Sequence, residues 1–101
     1  MNSASNKATE TTTAGTIVHV LLSSRARAAV LTASDAVNDC DAVTGYAIRA
    51  AVSGRMVDGM VTVDRALVAS LLSRSAVGAS EHTGEIVRRA LGALETAAAT
   101  H

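Results

Sequence analysis

The sequence has no proline, no phenylalanine and no tryptophan, and its one aromatic side chain is Tyr46. Recognition of bases or sugar rings by stacking uses several aromatic faces, so a stacking platform is excluded. A single cysteine, Cys40, makes no internal disulfide. No apolar run approaches the roughly 20 residues that span a bilayer. The first residues form no apolar leader segment, so the expected setting is the cytoplasm. Nine basic side chains balance nine acidic ones, so the basic excess that usually accompanies strong nucleic-acid binding is missing.

Chemistry-bearing constellations are equally scarce. His19, His82, His101 and Cys40 show no zinc-ligand spacing. Asp35, Asp39, Asp41 and Asp58 do not follow the calcium-loop pattern. Cys40, flanked by Asp39 and Asp41, lacks the electropositive setting of a nucleophilic cysteine. The expectation is a protein without metal, cofactor or catalytic residues, and not an enzyme.

What is present is small and aliphatic. Alanine supplies 21 residues, and Val, Leu, Ile and Met together supply 26. Burying a larger aliphatic side chain contributes about 1.5–3 kcal/mol, and alanine contributes much less. A core of this kind requires closely packed helices and favours burial against a second unit.

The pattern along the chain divides into five parts. Residues 1–15 are Ser, Thr, Asn and Ala and read as a disordered tail. Residues 16–54 form a first unit. Thr16 to Leu22 reads as a strand, with Val18, Val20 and Leu22 toward the core and Ile17, His19 and Leu21 on the other face. Ser23 or Ser24 caps a helix whose inner face is Ala26, Ala29, Val30, Ala33 and Val37. A second helix runs from Ala42 to Val52. Residues 55–59 read as a connector. Residues 60–96 form a second unit: a strand at Met60–Val63, a helix capped by Asp64 with the stripe Leu67, Val68, Leu71 and Leu72, and a last helix from about Thr83. Residues 97–101 close the chain as a tail.

The two units resemble each other. Thr44-Gly45-Tyr46-Ala47-Ile48-Arg49-Ala50-Ala51-Val52 aligns with Thr83-Gly84-Glu85-Ile86-Val87-Arg88-Arg89-Ala90-Leu91. Upstream, Val18-His19-Val20 aligns with Val61-Thr62-Val63, with a four-residue loop difference near Asn38–Asp41 absorbing the unequal spacing.

A strand, a capped helix, a short loop and a second helix opening Thr-Gly-Glu-Ile-Val-Arg-Arg-Ala-Leu resembles the ribbon-helix-helix (Arc/MetJ-like) family of repressors and antitoxins. Val61–Leu91 carries the stronger likeness and Val18–Val52 the weaker. The resemblance implies a mainly α fold with short β-strands, as tandem β-α-α-β-α-α units whose strands pair as an antiparallel ribbon, within one chain or between two. It implies self-association by strand pairing and a cytoplasmic DNA-binding regulator or antitoxin-type autorepressor acting on double-stranded DNA. His19 and Thr62 would read bases from the ribbon. Arg25, Arg27 and Arg65 would meet phosphates, as would Thr44-Gly45 and Thr83-Gly84 at helix starts. The outward positions Ile17, Leu21 and Met60 depart from the family's polar readers. They support a second expectation: a protein-interaction module on the same scaffold, in which this strand face and the Ala-rich C-terminal helix bind a protein and DNA binding is weak or lost.

Overall fold

The structure, a computed structural model, describes residues 18–99. The expected tail 1–15, with Thr16 and Ile17 of the expected first strand, lies outside the described residues. The described chain is mainly α, with four helices and one three-stranded antiparallel sheet. β1 (His19–Ser23) leads into α1 (Ser24–Asn38) and α2 (Ala42–Ala51). β2 (Met56–Val57) and β3 (Met60–Asp64) form a hairpin, followed by α3 (Arg65–Ala76) and α4 (Glu81–Ala99). The stretch expected as a plain connector therefore holds a third strand. The sheet order is β1-β3-β2.

The hairpin has a local cause. Asp58 and Gly59 both adopt positive φ, 54° and 76°. An Asp-Gly pair between apolar residues is a strong two-residue hairpin signal, because the twist of such a turn matches that of the strands. It places Met56 opposite Val61 and Val57 opposite Met60.

β1 and β3 pair along their whole length, from His19 opposite Asp64 to Ser23 opposite Met60. The Arg65 amide extends the ladder by donating to the Val18 carbonyl at 3.0 Å. Side chains alternate across a strand, so Val20, Leu22, Val61 and Val63 are buried while His19, Leu21, Met60 and Thr62 face outward. Val18 departs from the expected parity. It precedes β1 and is 48% exposed.

Each helix starts on a short polar side chain. The Ser23 hydroxyl accepts from the Ala26 amide, and the Asp64 carboxylate from the Leu67 amide, both at 3.2 Å. Such caps contribute about 1 kcal/mol each. α1 packs against α2 and α4, and α3 packs against the same two helices. Val30, Ile48, Leu72 and Leu94 from the four helices are all fully buried in one core. Tyr46 is 72% exposed, so that core has no aromatic member.

The close α1–α2 contact depends on Gly45. A Cβ there would lie 2.8 Å from the Asn38 backbone. Gly92, inside α4, has nothing within 4 Å of its Cβ position. Gly45→Ala is expected to destabilise the fold by about 1–3 kcal/mol, since backbone gives way poorly. Gly92→Ala is expected to stabilise it by about 0.5–1 kcal/mol. Paired thermal melts check both signs.

The stripe expected on α3 is corrected at one position. Val68, Leu71 and Leu72 are buried, but Leu67 is 48% exposed. Leu67 lies in the first turn, where its amide is tied to Asp64 and its side chain falls outside the Val68–Leu72 face. Leu72→Ala is expected to cost about 2–5 kcal/mol and Leu67→Ala about 0.5 kcal/mol or less. Denaturant midpoints for the two variants test this register.

Candidate functional site

The outward face of the β1–β3 pair brings together most of the strand residues expected to make contacts. His19 and Leu21 alternate with the buried positions of β1, and Met60 and Thr62 do so on β3. Leu21 lies directly across from Thr62, and His19 across from Asp64. Ile17 lies outside the described residues. β2 adds Val57 beside Met60, so the face is widened on one side only.

The phosphate contacts expected at helix starts meet local obstacles. Thr44 and Gly45 are not a free helix end. α2 begins at Ala42 with Asp41 as its cap, and both Thr44 and Gly45 are buried. The Thr44 amide donates to Asp41 Oδ1 at 3.1 Å and its hydroxyl to Oδ2 at 2.6 Å. A carboxylate thus already occupies the place of an anion, and Gly45 serves the α1–α2 contact. Thr83 and Gly84 are likewise inside α4. Their amides donate to the Ser80 hydroxyl (3.2 Å) and the Ser80 carbonyl (2.8 Å). The groove beside this start, about 380 Å³, is lined by Asp35 and Asp39 together with Ser80, His82 and Thr83. Two carboxylates there oppose a phosphate.

Of the three arginines expected near phosphate, Arg65 is engaged. Its guanidinium donates to Glu95 Oε1 at 2.5 Å, tying the start of α3 to the last turns of α4. Its Nε is buried without a hydrogen-bond partner. Arg25 is exposed in the first turn of α1, and it makes no ion pair among the described residues. Arg27 is engaged as well: it donates from Nε to the Val52 carbonyl at 2.8 Å and closes the end of α2.

A groove of about 480 Å³ lies where the Ser23–Met60 end of the strand pair meets α1 and α4. Leu21, Ala26, Ala29, Met60, Ala93 and Ala97 line it, with Arg25 at the same site. Sequence reasoning singled out Leu21, Met60 and Arg25. It also expected the Ala-rich last helix to bind a partner, but not that Ala93 and Ala97 share a wall with Ala26 and Ala29, because alanines 67 positions apart along the chain carry no local sign that they meet. Among the described residues, no group of three or more His, Cys, Asp or Glu could hold a metal ion. No described helix is long and apolar enough to cross a membrane.

No family model, no curated protein and no solved structure matches this chain.

The Asp41 carboxyl titrates below its ordinary value of 3.8, chiefly through the Thr44 hydroxyl, then the Thr44 amide, with a smaller pull from Arg74. A folded-state pKa below the unfolded one gives stability that is present above about 3.8 and lost as pH falls through the folded value. Asp41→Asn is therefore expected to flatten the acid limb of the stability curve below about pH 4 while keeping α2 capped. Urea midpoints of wild type and variant across that range check the sign.

Proposed function

We propose that this chain is a protein-interaction module on a ribbon-helix-helix-like scaffold, with two strand-helix-helix units folded against each other in a single chain. The antiparallel β1–β3 pair supports the scaffold reading. So do the matched caps, Ser23 with Asp64 and Asp41 with Ser80. Cap matching pairs Val20–Leu22 with Val61–Val63, two residues away from the alignment expected upstream. The first helix is longer in the first unit, 15 residues against 12, and the loop after it is one residue shorter, which together give the remaining length difference.

One observation carries the choice of partner class. The outward strand face is apolar where base reading would need donors and acceptors. Leu21 is 43% exposed, Met60 39% and Val57 60%, and the first two border the 480 Å³ groove. Exposed apolar side chains gathered at a groove mark interaction sites. Electrostatics points the same way: Asp64 shares the outward face, Asp41 fills one helix start, and Asp35 and Asp39 flank the other. The third strand also widens a ribbon that the major groove accepts with two strands.

His19 and Thr62 on that same face support the second reading, a DNA-binding regulator. The two readings separate in a titration of the full chain with duplex DNA from its own upstream region at two salt concentrations. The interaction reading expects only weak, salt-labile binding, no tighter than about 10⁻⁶ M at physiological salt. Tighter binding that Thr62→Ala weakens by about 1–3 kcal/mol, the worth of a good base contact, would replace it with the DNA reading.

A further inference from the structure

The groove at the Ser23–Met60 end of the strand pair has one wall from each of three elements. The sheet supplies Leu21 and Met60, α1 supplies Ala26 and Ala29, and α4 supplies Ala93 and Ala97. Four of these six are alanine, so large side chains from outside can approach the helix backbones closely. Among the described residues, the only charged side chain lining it is Arg25. That guanidinium makes no ion pair among the described residues. Glu95, one residue before the groove residue Thr96, is held away by Arg65 at 2.5 Å. With Ser23 and Thr96 as its other lining residues, the trough is mainly apolar, carries one positive charge and, among the described residues, has no carboxylate.

The opposite end of the strand pair is different. There His19 faces Asp64, and the adjacent arginine, Arg65, is already paired. The two ends are not equivalent, and among the described residues only the Ser23–Met60 end carries this groove. Val57, the cross-strand neighbour of Met60, adds an exposed apolar side chain beside the groove.

Resting on the interaction reading above, we infer that the groove takes a segment of a partner protein made of aliphatic side chains and flanked by a carboxylate that meets Arg25. Aliphatic side chains fill the alanine-lined trough and leave water. The carboxylate forms a charge-assisted pair with the guanidinium, whose fork matches it geometrically. Charge at a rim sets partner choice more than overall affinity. The groove therefore discriminates against the same apolar segment flanked by a basic residue.

The test uses the full chain, isotope-labelled, and two fluorescent peptides of equal length. Each is a Leu/Ala helix-former; one ends in two glutamates, the other in two lysines. The expected result is one-to-one binding of the glutamate peptide, at least tenfold tighter than the lysine peptide, with amide shifts at Leu21, Ala26, Met60 and Ala97. Arg25→Glu should reverse the preference, and Leu21→Asp, on the outward face, should abolish binding of both. Both variants are checked for an unchanged far-UV spectrum and melt. Equal affinity for the two peptides, or a preference that Arg25→Glu leaves untouched, overturns the carboxylate requirement while the interaction reading stands. Shifts confined to other surfaces, or none with either peptide, overturn the groove assignment. Tight, sequence-dependent DNA binding in the titration above is a separate result and would remove the interaction reading itself.

Discussion

The structure depends on the antiparallel pairing of β1 with β3. A chain that draws 21 of its apolar residues from alanine, with its single aromatic at the surface, cannot bury enough in a unit of about 40 residues to hold itself folded. Pairing Val20 with Val63 and Leu22 with Val61 brings the two halves into contact and seals one side of a shared core. α1 and α3 then each lie against both α2 and α4. Because the pairing closes within one chain, the edges of β1 and β3 that a second copy would have to supply are already satisfied. Folding and association, which are one event when such strands pair between chains, become separable.

The same economy explains why several polar residues suggestive of ligand contact are occupied. Helix starts leave amides without intrahelical partners, and a ligand anion and a capping side chain compete for them. At α2 the cap is Asp41, and Thr44 reinforces it with both its amide and its hydroxyl. At α4 the cap is Ser80. Gly45 lets α1 and α2 approach to a distance that any Cβ would obstruct. Arg27 and Arg65 each close a connection between elements far apart in sequence, one at the end of α2 and the other at Glu95. The exposed ion pairs Arg49–Asp35 and Arg89–Glu85 contribute little by comparison.

With those groups engaged, the surface is left with an uneven face. One end of the strand pair carries His19 and Asp64; the other opens into an alanine-lined groove rimmed by Arg25. β2 adds Val57 to one edge alone. Two identical paired chains would present the same face twice. With β2 on one edge alone, the two ends of this face differ, and one of them carries the polarised groove.

Much of this was legible in the residues. The order of helices, the caps at Asp64 and at one of the two serines, and the inward parity of Val20, Leu22, Val61 and Val63 all follow from local propensity and periodicity, which act over a few residues. The Asp58-Gly59 turn was legible too, as an Asp-Gly pair between apolar neighbours, but the expectation of a plain connector passed over it. The exposure of Leu67 was not legible, because it belongs to the apolar run of α3 and only the direction from which the core approaches excludes it. Nor was the burial of Thr44 and Gly45, since a Thr-Gly pair reads alike at an open helix end and one turn inside a packed helix. The groove lay furthest from view: Ala26, Ala29, Ala93 and Ala97 acquire a shared surface only when the last turns of α4 come to rest beside the start of α1. Local sequence determined the elements and their inner faces; long-range packing decided which leftover side chains meet, because that depends on contacts between residues distant along the chain.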